Sequence, residues 1–219
     1  FLRGVRQLGP KDVVLGQYAG YRETEGVDPK SNMETFAAVR MHVDTWRWAD
    51  VPIVVRAGKC LPVKATEIVI ELKRPPEKLF PRQHAHGNRL RFQIDPEVLI
   101  AIEVQARRGD TEEFEVEDIE LLAMRHAAHQ IPPYQRLLTG ALEAEHNLFA
   151  SEQTIEEAWR IVDPILDPTE QPIVYERGTW GPEEANALTP NHHWFTPHVR
   201  GADLSHPADR QPTPEEAAR

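Results

Sequence analysis

Two lysines flank the tip of a predicted loop and have the chemistry to bind a small anion. A strand ends near Arg56, a positive φ at Gly58 permits a turn, and the chain returns as a strand at Glu67. Lys59 and Lys64 then converge, and each charge-assisted bond to a phosphate monoester contributes about 1.5–3 kcal/mol. Exposed lysines of an ordinary hairpin give the same spacing, so the spacing alone leaves both interpretations open.

A metal site is the second chemistry that the residue types suggest. The sequence has ten histidines, with the closest pairs in His84-Ala85-His86 and His192-His193. Neither pair has a cysteine or carboxylate close by at metal-ligand spacing. Short histidine pairs are not specific motifs, so we interpret both as solvated loop residues and predict no metal site.

The segment Thr45-Trp46-Arg47-Trp48 places two indoles around one cation. Such a group could form a stacking platform for a ring or a sugar. In the alternative, the chain bends here, the indoles cover the core of a sheet, and Arg47 pairs with a carboxylate. We favour this second, structural interpretation.

Motifs that cradle nucleotide phosphates or activate a nucleophile are missing from the sequence. It contains neither G-x-G-x-x-G nor G-x-x-x-x-G-K-[ST], and it has no G-x-S-x-G elbow. The single cysteine, Cys60, has no catalytic context. It excludes an intrachain disulfide and fits a reducing cytosol.

Charge and length restrict the classes of partner. The 219 residues include 25 basic and 35 acidic side chains, and the formal charge of −10 argues against nucleic acid or an acidic membrane surface. No apolar run approaches the ~20 residues that span a bilayer. Phe1 begins the sequence without an initiating Met or a signal-peptide core, so we expect a fragment of a cytoplasmic protein.

Alternating apolar and polar residues dominate the middle of the chain. In 36–43, the residues Ala37, Val39, Met41 and Val43 form the predicted buried face. Further strands are predicted over 51–56, 67–73, 89–94, 98–105 and, with a weaker pattern, 114–121. Consecutive strands without intervening helices indicate a large, mostly antiparallel sheet with one solvated face.

The periodicity becomes helical after the middle of the chain. Apolar residues recur at helical spacing over 134–142. A second helix is predicted over 151–163, capped by Ser151 or Thr154 and ended by Pro164. The predicted fold class is therefore α+β, with helices on one face of the sheet.

The C-terminal part is rich in proline and charge. Residues 167–187 are predicted to be loop with one short helical turn. Residues 200–219 contain almost no large apolar side chain and are predicted to form a disordered tail. This leaves one domain over 1–199.

A series of ordered motifs covers the chain from about Val13 to Asn186. They are Val14-Leu15-Gly16-Gln17-Tyr18, Glu34-Thr35-Phe36-Ala37-Ala38, Arg56-Ala57-Gly58-Lys59, Pro133-Tyr134-Gln135-Arg136-Leu137-Leu138, Ala158-Trp159-Arg160-Ile161-Val162-Asp163-Pro164 and Gly178-Thr179-Trp180-Gly181-Pro182. Together they resemble the C-terminal part of the glucose-6-phosphate 1-dehydrogenase family. The number of matches in the same order makes the resemblance specific.

The resemblance implies an enzyme that oxidises glucose 6-phosphate to 6-phosphogluconolactone with NADP or NAD. It implies a homo-oligomer formed through the sheet. It also implies that the Rossmann domain, which mainly binds the dinucleotide, and the general-base histidine precede this chain. The chain would then hold no catalytic residue and would be inactive alone. The alternative is a non-catalytic assembly or regulatory module with the same fold, which an intact upstream glycine-rich βαβ unit would exclude.

The resemblance also assigns binding residues. Lys59 and Lys64 match the two basic substrate-binding positions of this part of the enzyme. Asp95, before Pro96, matches a Gln or Asp near the substrate. Some members bind a second, structural NADP, and Arg56 matches one residue of that site. The positions of other basic residues of that site are occupied by Ala65, Val69 and Gln93. We therefore do not expect a structural NADP.

Overall fold

The computed structural model describes residues 1–74, 87–107, 116–124, 132–166, 171–189 and 194–197. Its strands are β1 (Val13–Tyr18), β2 (Phe36–Met41), β3 (Ile53–Gly58), β4 (Thr66–Glu71), β5 (Arg89–Asp95), β6 (Leu99–Arg107), β7 (Val116–Met124) and β8 (Ile173–Tyr175). Its α-helices are α1 (Pro133–Leu142) and α2 (Glu152–Val162). The chain divides into two compact units, the first from Phe1–Pro62 and the described part of 131–194, the second from the described parts of Val63–Gln130 and 195–202.

The first unit contains a four-stranded sheet in the order β3-β2-β1-β8. Strand β2 pairs antiparallel with both β1 and β3, whereas β8 pairs parallel with β1. A parallel pair needs a long crossover, and β8 accordingly follows α1 and α2 in the sequence.

Both faces of this first sheet are covered. On one face lies a cluster of Val5, Leu8, Val43, Ile161 and Ile165, with Val39 and Met41 packed against it. On the other lies a cluster of Phe36, Ala38, Tyr175, Ala185 and Leu188. The predicted buried face is confirmed for Val39, Met41 and Val43, whereas Ala37 is half-buried and is not among the residues of this cluster. The expectation of a solvated opposite face is wrong, since Ala38 is 0% exposed beneath the 3-10 helix Glu183–Leu188.

The second unit contains the antiparallel sheet β4-β5-β6-β7. One face carries a network of ion pairs that crosses all four strands. Arg91 lies 3.2 Å from a carboxylate oxygen of Glu67, of Glu103 and of Glu120, and Arg89 lies 3.2 Å from Glu103. Arg91 is only 8% exposed. Mutual neutralisation and hydrogen bonding permit this burial, since an unpaired charge there would be costly.

The opposite face of the second sheet is apolar and exposed in the part of the chain that the structure describes. Ile68 is 51% exposed and Leu121 is 58% exposed. The same face includes Ile70, Ile94, Ile100, Ile102 and Ile119, all of them exposed. An apolar buried face and a polar solvated face were expected, and this expectation is wrong for the second sheet. Its charged side chains pair with one another and are partly buried, whereas its apolar face is exposed.

The α+β class and the mostly antiparallel pairing are confirmed, as are both predicted helices. The strands divide between two sheets, whereas one large sheet was expected. The connection from β3 to β4 contains Pro62, which has no N–H to give to a ladder. The predicted loop 167–187 contains β8, whose three residues are too few to show alternation. The predicted tail 200–219 and both histidine pairs lie outside the described residues.

The bend at Trp46 differs from the prediction that both indoles cover a sheet core. The main-chain N–H of Trp48 donates to the Thr45 carbonyl at 3.0 Å. The Trp48 ring meets the Phe1 ring edge to face, with centroids 6.0 Å apart. Trp46, however, is 87% exposed, because the turn directs its ring to solvent. The guanidinium of Arg47 lies over that ring at 5.8 Å.

Candidate functional site

Lys59 follows the last residue of β3, and hydrogen bonds fix its main chain on both sides. Its N–H donates to the Thr35 carbonyl at 2.8 Å, and its own carbonyl accepts from the Tyr175 hydroxyl at 2.7 Å. The Gly178 N–H donates to the carbonyl of the next residue, Cys60, at 2.8 Å. The Lys59 side chain is exposed. The main chain of Lys59 is thus fixed by hydrogen bonds, while its charged side chain is accessible to solvent.

The turn at this point is built differently from the prediction. Cys60, with φ of 53°, takes the left-handed conformation that was assigned to Gly58. Gly58 serves a close approach, since a Cβ there would lie 2.8 Å from Cδ2 of Phe36. The expectation of a hairpin is wrong as well, because β3 and β4 belong to different sheets.

Lys59 lies at the edge of a cleft of about 720 Å³ in the first unit. The cleft is lined by Tyr18, Tyr21, Glu34, Thr35, Phe36, Ala37, Ala57, Gly58, Lys59 and Cys60. Tyr18 and Tyr21 meet edge to face at 5.4 Å and form an aromatic wall. The lining therefore combines aromatic residues with one lysine, Lys59, and one glutamate, Glu34.

Lys64 and Asp95 belong to the second unit and lie at the same end of its sheet. Asp95 is the last residue of β5 and pairs with Thr66, the first residue of β4. Lys64 precedes Thr66 by two residues and is exposed. The structure thus brings Lys64 and Asp95 to one sheet corner. Because Lys59 belongs to the other unit, the convergence of the two lysines stays a prediction.

Arg56 is held by aromatic rings of its own unit. Its guanidinium carbon lies 4.4 Å from the ring centroid of Trp180 and 4.8 Å from that of Trp194. Burial lowers the pKa of Arg56 to about 10. The Trp194 indole N–H donates to the Ala185 carbonyl at 3.1 Å, which fixes that ring. Sequence reasoning did not single out Trp194 or Tyr175, because each reaches the site from a distant part of the chain.

The absence of a structural dinucleotide stays a prediction. Two indoles contact Arg56, the one arginine that matches such a site, and with a pKa of about 10 its guanidinium stays charged at neutral pH. In the second unit, the buried guanidinium of Arg91 is already paired with three carboxylates.

Within the described ranges, no group of three or more His, Cys, Asp or Glu side chains could hold a metal ion. In the same ranges, no helix has both the length and the apolar character needed to cross a membrane.

The two mostly antiparallel sheets and their helices define an α+β domain with a basic residue at the edge of a cleft. The chain belongs to the family described as glucose-6-phosphate dehydrogenase, C-terminal domain, whose model matches residues 1–195. The glucose-6-phosphate 1-dehydrogenase 1 of Mycobacterium tuberculosis is 42% identical over 207 residues, which are 92% of this chain and 44% of the relative.

Solved structures give the same assignment. The glucose-6-phosphate 1-dehydrogenase of Mycobacterium avium matches with a TM-score of 0.80 and 39% identity, over 90% of this chain and 43% of that one. A glucose-6-phosphate dehydrogenase in complex with its substrate glucose-6-phosphate matches with a TM-score of 0.75 and 26% identity, over 90% and 44%. The chain thus spans less than half the length of these relatives.

Proposed function

We propose that this chain is the substrate-binding and oligomerisation part of a glucose-6-phosphate dehydrogenase. The whole enzyme would oxidise glucose 6-phosphate to 6-phosphogluconolactone with NADP or NAD. The observation that carries the proposal is the solved relative with bound substrate, whose fold extends over 90% of this chain. The proposal is also supported by the hydrogen bonds that fix the main chain of Lys59 beside a cleft, because a cation that binds substrate must be held in position.

Each proposed site residue has a separate role. Lys59 and Lys64 bind the phosphate dianion by charge, and Lys59 also contacts the sugar. Asp95 accepts hydrogen bonds from sugar hydroxyls. Their joint effect is orientation, which presents the sugar C1–H to the reacting partner. A nicotinamide, when bound, supplies the hydride acceptor for that carbon.

The oligomerisation part of the proposal rests on the apolar face of the second sheet. On this face, exposed isoleucines and one leucine from all four strands lie next to one another in the described residues. They form one continuous apolar surface. Contiguous apolar surface of this kind marks protein interaction sites. We propose that a second copy of the chain covers it, which gives a homo-oligomer through the sheet.

Steady-state kinetics of the whole protein that carries this chain test the substrate role. Lys59→Ala should raise the KM for glucose 6-phosphate at least about tenfold, the equivalent of one lost charge-assisted bond. Lys64→Ala should raise it less, and Lys64→Arg should recover part of that loss, because it keeps the charge. The KM for the dinucleotide should stay unchanged in all three variants.

The matched control is Lys11→Ala, an exposed lysine in the 3-10 turn Pro10–Asp12 of the first unit. It should leave both KM values at the parent level. Wild-type KM values in both Lys59→Ala and Lys64→Ala would make these residues ordinary surface lysines. A whole protein that assembles but does not reduce NADP or NAD with glucose 6-phosphate would favour the non-catalytic assembly module. The chain expressed alone should show no turnover.

A further inference from the structure

Tyr175 is a buried tyrosine whose hydroxyl contacts the main chain of Lys59. Its side chain packs against Phe36, with ring centroids 5.5 Å apart, and the residue is only 4% exposed. The phenol has one proton to donate. The shortest available acceptor is the Lys59 carbonyl at 2.7 Å, so the proton lies in that bond.

The same hydroxyl ends a chain of hydrogen bonds from β1. The Tyr18 N–H donates to Thr35 Oγ1 at 2.9 Å, and that hydroxyl lies 3.3 Å from the Tyr175 hydroxyl, where it can donate. The Thr35 carbonyl in turn accepts the Lys59 N–H at 2.8 Å. The main chain of Lys59 is therefore held on one side by Thr35 and on the other by Tyr175.

We propose that Tyr175 is a positioning residue that sets the place of the Lys59 ammonium at the cleft. This inference rests on the proposed function, in which Lys59 binds the sugar phosphate. Without the phenolic hydroxyl, the Lys59 carbonyl loses its buried donor and the loop loses one of the three hydrogen bonds that fix its main chain. A displacement of about 1 Å at a binding cation weakens binding strongly, because oriented contacts depend on distance.

The test is Tyr175→Phe in the whole protein that carries this chain, because this change keeps the ring and removes only the hydroxyl. The KM for glucose 6-phosphate should rise about three- to tenfold, while kcat and the KM for the dinucleotide change less than about twofold. Thr35→Val, which takes away the hydroxyl next to the phenol, should raise the same KM by a smaller factor. Tyr134→Phe, an exposed tyrosine on α1, is the matched control and should change nothing.

A double-mutant cycle separates positioning from a general structural role. If Tyr175 acts through Lys59, then Tyr175→Phe should raise the KM no further in a Lys59→Ala background. An equal rise in both backgrounds overturns the inference, and so does an unchanged KM in Tyr175→Phe and Thr35→Val. A parent protein that does not oxidise glucose 6-phosphate overturns the proposed function itself, and this inference with it.

Discussion

The phenol of Tyr175 also makes the stability of the first unit depend on pH. Burial raises the pKa of Tyr175, the nearby Cys60 and Tyr18 act in the same direction, and the hydrogen bond with Thr35 opposes them. A raised pKa in the folded state means that folding favours the protonated phenol. This contribution is complete below the pKa of a free tyrosine, about 10, and is lost as the pH rises through the folded value.

The expected result is a stability difference that depends on pH. Between neutral pH and pH 9, the wild-type chain should unfold at a higher urea concentration than Tyr175→Phe, by a nearly constant margin. Above about pH 10 the margin should shrink, because the phenol then ionises in the unfolded chain while the fold still holds it protonated, which favours unfolding of the wild type. Urea titrations followed by circular dichroism measure this. A margin that does not change up to pH 11 would contradict it, and exposed Tyr134→Phe should show no margin at all.

At the scale of the element, the first turn of α2 rests on a side-chain cap. The Ser151 Oγ accepts the Thr154 N–H at 3.2 Å, and the two hydroxyls lie 2.9 Å apart. Ser151→Ala should therefore lower the free energy of unfolding by about 1 kcal/mol. Ser151→Asp keeps an acceptor and should cost less than half as much. Equal losses in urea unfolding for the two variants would show that the cap contributes nothing.

The same helix shows which elements can be read from a sequence. Ser151 and Thr154 as candidate caps and Pro164 as the stop are local signals, and α2 was predicted nearly to its ends. Strand β1 was not predicted. The need for glycine at its position 16 follows only from tertiary contacts. A Cβ at Gly16 would lie 2.9 Å from Pro182 and 3.2 Å from the Ile173 carbonyl oxygen. Contacts between such distant residues leave no periodic pattern in the sequence.

The site divides in a similar way. Lys59, Lys64 and Asp95 could be named because they match positions in a known family, and their roles stay predictions. The anchors of Lys59 could not be found, because Tyr175 lies on a three-residue strand without alternation. Arg56 was named because it matches one residue of a structural NADP site, and the structure shows its guanidinium between two tryptophan rings.

At the scale of the whole molecule, assembly should depend on the apolar face of the second sheet. Ile100 lies on the central strand β6, opposite Phe92 of β5 and Ala123 of β7. Ile100→Lys should reduce the assembled protein to a smaller species, because an unpaired ammonium buried in an apolar interface is costly. Size-exclusion chromatography with light scattering measures the mass.

The control for this experiment is Leu142→Lys, an equally drastic change at an exposed position on α1 of the first unit. It should leave the mass of the assembly unchanged. Both variants should keep the far-ultraviolet circular dichroism of the parent. An Ile100→Lys protein of parental mass would show that this face is not the interface.

The hydrogen bond between Tyr175 and Lys59 has a consequence for the order in which parts of the chain fold during synthesis. The two residues are 116 positions apart in the sequence. A nascent chain that extends only to the end of α2 already contains Lys59, Thr35 and the strands β1 to β3, yet it lacks the donor to the Lys59 carbonyl. Closing so long a loop is slow compared with forming local pairs. The loop of Lys59 therefore reaches its final form only after β8 has left the ribosome.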